Sequence, residues 1–409
     1  MADSTYDPYW TAVSPFTPQQ NGEGSAICKE EMKTYFSSLL RRKVTGVRSD
    51  LVGHGVFNVV YDLIFSDLGP PVVARICYNF TNTEEGRKYA SETTEQEVAI
   101  LKFLEMRAPE VIAPRVLGYD IEPQNAIGSP FILQSRISGC DLLHCSIDET
   151  LWQNFSFYKF IPGLAHALVD LFSIEIPNII GSVTGVSEEG IPAVGPFREE
   201  AIFRGSDRPF QSAMEYIKWR ISASIWEDKD GASVNVPALL QRLEILAQRI
   251  ITCLDPSLLR VCLVHVDPHD RNVMVEESKF SGLVDWQALT LPSFIAAEYP
   301  PYLRYDGMYE ERYAALNQYG KIEFINKDLL INGTEKYQRP SKDDAKVLRN
   351  LYLECCGKRN PMYARALIEG QVLRQLVEWL NFVEWEGDFV WPGLELWESD
   401  QRGKLDASE

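Results

Sequence analysis

Asp267, Asn272 and Asp285 are the residues of this chain whose types and spacing most invite chemistry. They stand in the stretch Leu263-Val-His265-Val-Asp267-Pro-His269-Asp270-Arg271-Asn272 and its continuation through Val273 to Trp286. Three apolar runs, residues 261–264, 273–275 and 283–284, frame a polar loop, and the turn-forming pair Ser281-Gly282 precedes the third. The second and third runs are predicted to pair as a hairpin, which returns Asp285 to the side of Asn272 across thirteen positions of sequence. Asp267 then lies on the loop that enters the pair. Two carboxylates and an amide oxygen converging on one loop suit a hard cation such as Mg²⁺, with one carboxylate left to accept a proton. Two other readings compete. One is a buried hairpin whose Asp and Asn only satisfy turn backbone. The other is a metal-dependent hydrolase with His265, Asp267 and His269 on Zn²⁺. The remaining three of the five histidines, His54, His144 and His166, belong to no ligand-spaced cluster, which weighs against zinc.

Groups of this kind need elements to position them. Residues 30–40 have helical spacing, with Met32, Tyr35, Phe36 and Leu39 on one face, ahead of a strand over 44–52. Gly53-His54-Gly55-Val-Phe-Asn58-Val-Val-Tyr61 then lies between two predicted strands, where a flexible backbone can fold over a phosphate with its amides pointing inward. A plain glycine hairpin explains the same residues. There is no Gly-Lys-[Ser/Thr] phosphate loop, and a dinucleotide-binding turn would need a helix where 57–65 reads as strand. The next strand, Val72-Val-Ala-Arg75-Ile-Cys77, puts Arg75 on one face with Val73 and Cys77. A helix is predicted from Thr94 to Arg107, with Glu97, Ile100, Leu101 and Leu104 turned inward. An inward glutamate wants a cation, and Arg75 is the candidate. A capping box of Thr94 with Glu97 fits the sequence equally well. Residues 113–120 and 128–133 read as strands, 134–137 as a connection, and 160–174, 213–225, 236–254, 345–354 and 363–382 as helices. The indoles of Trp379, Trp385, Trp391 and Trp397 suit helix packing better than a cradle for an ammonium group.

The His265-x-Asp267-x-His269-x-x-Asn272 loop, with Val284-Asp285-Trp286 at matching distance, resembles the catalytic core of the aminoglycoside phosphotransferase and choline kinase-like family. Gly55-x-x-Asn58-x-x-Tyr61 looks like that family's nucleotide flap. Ile180-Gly-Ser182 and Val194-Gly-Pro-Phe197 look like the inter-helix segment of its fungal-type branch, so the resemblance spans roughly residues 44–305. It implies an α+β, bilobal protein-kinase-like fold: an N-terminal arm and helix over 1–43, a small β-rich nucleotide-binding lobe over 44–137, and a larger, mainly helical lobe over 138–409 for catalysis and acceptor binding. By the resemblance, Asp267 acts with His265 and His269, and Asn272 and Asp285 hold Mg²⁺. Gly53, Gly55, Asn58, Arg75, Glu97, Gln134 and Arg136 bind ATP, with adenine at the lobe connection. The implied reaction is ATP-dependent phosphorylation of a hydroxyl on a small molecule. The family usually carries lysine where this chain has Arg75, although arginine resembles the fungal-type branch. That exchange keeps the charge and alters the geometry, so a pseudokinase that binds nucleotide or a partner without turnover is the alternative. Protein kinases carry Asp-Phe-Gly and Ala-Pro-Glu, whereas this chain has Asp285-Trp-Gln and Ala297-Glu-Tyr-Pro. The activation segment is missing, which favours a small acceptor walled by the C-terminal helices.

Bulk properties are compatible with this. The chain has 409 residues, enough for two lobes with cores of their own, and 45% hydrophobic residues, ordinary for a globular protein. A formal charge of −18 argues against nucleic acid and anionic membranes as partners and is compatible with a cationic acceptor. The eight cysteines form no Cys-x-x-Cys pair and read as reduced and structural. The first arginine is Arg41 and no apolar run reaches the length of a membrane span, so a cytoplasmic location is expected. The oligomeric state is not legible.

Overall fold

The computed structural model describes residues 29–48, 58–77, 83–198, 205–223, 234–300, 303, 342–386 and 391–407. The predicted flap glycines Gly53 and Gly55 and the arm before Lys29 lie outside the described residues.

The N-terminal part opens with helix α1, Lys29–Leu40, which buries Met32 and Phe36, one helical turn apart, and leaves Leu39 40% exposed despite its predicted place on that face. Among the described residues five strands follow: β1 Val44–Arg48, β2 Asn58–Phe65, β3 Val72–Cys77, β4 Val116–Asp120 and β5 Phe131–Ser135. They form one antiparallel sheet in the order β1-β2-β3-β5-β4. Strand parity sorts its two faces. Val72, Ala74, Ile76, Phe131 and Leu133 join Met32 and Phe36 in a core on one side. The registers Asn58↔Cys77, Asp62↔Val73 and Val73↔Gln134 put Asn58, Asp62, Arg75 and Gln134 on the other. Helix α2, Glu84–Arg107, starts ten residues before Thr94, at the N-cap Thr83, whose side chain accepts from the amide of Gly86. The sequence hid this start because residues 84–93 are mostly polar and carry no apolar stripe.

Past Ser135 the chain turns helical. Among the described residues the helices are α3 Leu142–Ile147, α4 Glu149–Gln153, α5 Phe157–Ser173, α6 Ala213–Ala223, α7 Val236–Cys253, α8 Ser293–Ala296, α9 Lys342–Arg359, α10 Pro361–Glu369, α11 Gln371–Glu386 and α12 Trp391–Asp406. Asn360-Pro361 and Gly370 divide the long C-terminal pattern into three helices, because proline lacks an amide to continue one and the Asn360 side chain caps the next. Two small sheets support the predicted loop. One has the order β11-β10-β6, from Lys279–Leu283, Val273–Glu276 and Cys140–Asp141. The other has the order β8-β7-β12-β9, from Pro192–Gly195, Gly181–Val186, Ala288–Pro292 and Val261–His265. A β-rich N-terminal part and a helical C-terminal part make this the α+β, kinase-like arrangement expected. Trp379, Trp391 and Trp397 are buried together among Leu239, Leu243 and Leu376, so these three rings pack a core and present no cradle. No helix among the described residues is long and apolar enough to cross a membrane.

Candidate active site

The hairpin forms as the apolar pattern requires, with a different turn. Val273 pairs with Leu283, and the amide of Val284 donates to the carbonyl of Asn272 at 3.0 Å, which carries the ladder one step further and sets Asp285 beside Asn272. The reversal is made by Glu277 and Ser278, both left-handed at φ 50° and 62°. Ser281-Gly282, expected to turn, lies inside β11, where the pairing slips at a bulge. Gly282 is needed there for close approach, since a Cβ would press on the Ile112 carbonyl and the Ile137 side chain at 3.0 Å. Asp285 itself holds φ 61°, unusual for an aspartate outside a turn and a sign that its environment over-determines it.

Strand β9 delivers His265, which pairs with Ala288 of β12. The imidazole is buried, its Nε2 3.1 Å from the carbonyl oxygen of Val284, while the amide of Asp267 donates to Nδ1 at 3.2 Å. These bonds assign the neutral form with the proton on Nε2. Burial pushes its pKa down to about 4, and Trp286 covers it edge-on with ring centroids 4.8 Å apart. With both nitrogens spent on backbone, His265 ties the entry of the loop to the hairpin. Of the three residues the zinc reading needs, His265 is thereby occupied on both ring nitrogens. Among the described residues no group of three His, Cys, Asp or Glu is arranged to hold a metal.

His269 accepts the amide of Arg271 on Nδ1 at 2.9 Å, which turns Nε2 toward Asp267 Oδ2 at 3.3 Å. Asn272 is buried and donates its side-chain nitrogen to the Asp267 carbonyl at 3.0 Å, so its amide oxygen is the end left for a cation. The Asp267 side chain is 57% exposed yet ringed by protein, as a group in a concavity is. That surrounding protein raises its pKa above the ordinary carboxylate range; His269 opposes the rise, and Asp285 and Asp270 add to it.

From the N-terminal part, Arg75 reaches down with one guanidinium nitrogen on Glu97 and another on Asp285. Thr94 donates to the carbonyl of Ala90 inside α2, so it caps nothing and the capping-box reading falls. Asn58, Arg75 and Glu97 line one small pocket with Thr93, Thr94 and Gln287. Gln134 is buried on the same sheet face, its side-chain oxygen without a hydrogen-bond partner among the described residues. Arg136, expected at the nucleotide, gives its amide to the Pro71 carbonyl and its guanidinium to Asp62, each at 3.1 Å. It braces the sheet. Sequence reasoning passed over Gln287, whose carbonyl accepts from Val266 at 3.0 Å and whose residue lines the pocket. Its position two residues beyond Asp285 was the only available signal.

Residues 51–292 match the profile of the Phosphotransferase enzyme family. The chain is 25% identical over 336 residues to "Clavilactone A biosynthesis cluster protein Y" of Ampulloclitocybe clavipes, covering 79% of this chain and 76% of that protein. It is 22% identical over 315 residues to "Altered inheritance of mitochondria protein 9, mitochondrial" of Candida albicans strain SC5314, covering 63% of this chain and 49%, about half, of that one. Among solved structures, the aminoglycoside phosphotransferase APH(4)-Ia superposes with a TM-score of 0.46 at 12% identity, over 92% of this chain and 97% of that one. An ethanolamine kinase of Plasmodium vivax superposes with a TM-score of 0.38 at 10% identity, over 85% and 80%.

Proposed function

The chain belongs to the phosphotransferase enzyme family, and from that premise we propose that it moves the terminal phosphoryl group of ATP onto a hydroxyl of a small molecule. One observation carries the reading: the hairpin brings Asn272 and Asp285 side by side next to the Asp267 loop, and Arg75 and Glu97 reach the same point from the other part of the chain. Asp267 is the acceptor-side group. Its carboxylate is open to solvent and holds a proton more readily than an ordinary one, properties that suit a residue orienting or deprotonating a hydroxyl. His269 directs it, and His265 holds the loop.

The Asn272 side-chain oxygen and the Asp285 carboxylate are hard donors of the kind Mg²⁺ takes, and the Asp285 side chain is 44% exposed. Bound there, the cation would neutralise charge on the phosphoryl oxygens being transferred. Arg75, held by Glu97, supplies a planar two-pronged cation for phosphate oxygens, while Asn58 and Gln134 share its sheet face. In this reading residues 44–137, with Gly53 and Gly55, bind the nucleotide, and residues 138–409 provide the Asp267 loop and the acceptor wall. The acidic surface accommodates a cationic acceptor.

The contact of Arg75 with Asp285 also favours a second reading, a pseudokinase in which the guanidinium stands where a metal would and nucleotide binds without turnover. Calorimetric titration with ATP, with and without Mg²⁺, beside a screen of amino-alcohols, sugars, aminoglycosides and hydroxylated metabolites, separates the two. Mg²⁺-dependent binding with phosphorylation of an acceptor supports transfer; tight binding with no turnover on any acceptor supports the pseudokinase. Asp285→Asn should remove the Mg²⁺ dependence with the fold intact, and unchanged Mg²⁺-ATP affinity in that variant would overturn the metal assignment.

A further inference from the structure

Outside this site, one pair of reactive groups is set closer than packing requires. Cys140 lies on β6, at the first paired step after the lobe connection, and Cys145 lies in the second turn of α3; their sulfurs are 3.2 Å apart and both are free thiols. Cys140 is part-exposed and Cys145 is buried. A reagent therefore meets Cys140 first and finds Cys145 behind it. From the geometry we infer that Cys140 and Cys145 form a redox-active dithiol, open to peroxides, whose closure to a disulfide acts on the loop that carries Asp267.

The sulfur chemistry is asymmetric in the required sense. A hydrogen bond from Cys145 holds the Cys140 thiol down to about 7 against its own partial burial, with His144 assisting and Asp141 opposing, while the same bond and burial push Cys145 up. The Cys140 thiolate attacks one oxygen of hydrogen peroxide, the O–O bond breaks, and the sulfur becomes a sulfenic acid as hydroxide leaves and takes a proton from solvent to form water. Cys145 then attacks that sulfur, its proton goes to the departing hydroxyl, and a second water is released. Two thiols have lost two electrons to one peroxide. Closure draws the sulfurs to about 2.05 Å. The mechanical consequence follows from what the two elements hold. Cys140 pairs with Val275 of β10, the strand that leaves Asn272, and the amide of Leu143 in α3 donates to the carbonyl of Asp270 at 3.1 Å. Pulling α3 toward β6 shifts both attachments of the Asp267 loop at once.

The test uses the full chain. No lysine or arginine falls between Arg136 and Lys159, so trypsin leaves both cysteines, and no others, on the peptide 137–159. After hydrogen peroxide treatment and alkylation, that peptide should be two hydrogens lighter and take no alkyl group, whereas the reduced protein takes two. Exposed Cys253 is the internal control, and the 137–159 peptide should lose its alkylatable thiols before Cys253 does. In Cys145→Ser the peptide should gain oxygen atoms instead. A peptide that still takes two alkyl groups when Cys253 is already oxidised overturns the dithiol. The effect on the loop rests on the proposed phosphotransfer and is read separately: turnover should fall about tenfold on oxidation, recover with dithiothreitol, and stay constant in Cys140→Ser. A disulfide that forms and leaves turnover unchanged overturns the coupling to the loop. If no acceptor is ever phosphorylated, the mass result still decides the dithiol.

Discussion

Asp267→Asn keeps the side chain's shape and removes its charge, so it separates orientation from proton acceptance. Asp267→Ala should slow transfer by ~10²–10⁴ with little change in ATP affinity, and Asn should keep more activity than Ala, because a loose transition state depends more on positioning than on early proton removal. Stopped-flow or coupled assays on an identified acceptor read both; an Ala variant working at the parent rate sinks the assignment. Stability should move the other way. A carboxyl whose folded pKa is raised binds its proton more tightly in the folded state, so its penalty is absent below the ordinary 3.8 and grows as pH rises through the folded value. Asp267→Asn should therefore raise Tm at neutral pH and lose that gain in acid. His265 has the opposite sense: buried and neutral with a pKa near 4 against an ordinary 6.5, it leaves the unfolded chain binding more protons between those values. Folding should weaken as pH falls through that window, by up to roughly 3 kcal/mol from this residue, and urea melts of His265→Gln should show a smaller slope there. Burial is what sets this role, and the sequence alone shows no more than a histidine two residues before an aspartate.

At the scale of elements, the β10–β11 hairpin shows what alternation encodes and what it omits. The apolar runs specify that two strands pair and which residues face inward, so the meeting of Asn272 with Asp285 was legible. The turn was not. Glu277 and Ser278 are poor residues for left-handed backbone, and the tempting Ser281-Gly282 owes its glycine to close packing against Ile112 and Ile137. Glu277→Gly should stabilise the protein by about 0.5–1 kcal/mol, since it relieves one of the turn's two left-handed strains and breaks no side-chain hydrogen bond, as a shift in urea midpoint would show. Gly139→Ala should act in reverse: at φ 88°, with a Cβ set against the Val275 carbonyl, it should cost about 3 kcal/mol and loosen β6 from β10. Helix α2 repeats the lesson, for its inward stripe predicted Glu97 correctly as a buried residue and missed the polar first turns altogether.

Across the whole molecule, the indole cluster of the C-terminal helices ties α11 and α12 to α7. Trp391 and Trp397 lie with Leu239 and Leu243 in one core, and Arg242 of α7 reaches Glu395 and Glu398 of α12. Trp397→Ala should cost about 3–5 kcal/mol in chemical denaturation and leave the ATP affinity of the folded protein unchanged. A loss of acceptor affinity without loss of stability would instead restore the cradle reading. The charge of −18 adds self-repulsion spread over the surface, a property of the sum that no motif carries.

What the sequence by itself determined are the local quantities. Strand parity put Arg75 on a face with Cys77, helical spacing turned Glu97 inward, and a hairpin returned Asp285 to Asn272, all within short stretches where side-chain direction follows backbone period. Only the tertiary structure decided the rest. Arg75 meets Asp285 across 210 positions, His265 vanishes beneath Trp286, Arg136 turns to Asp62, and Cys145 comes to rest against Cys140. Each of these depends on how separately specified surfaces dock, and docking is settled by packing and by where buried polar groups find partners, neither of which is written in the period of any single element.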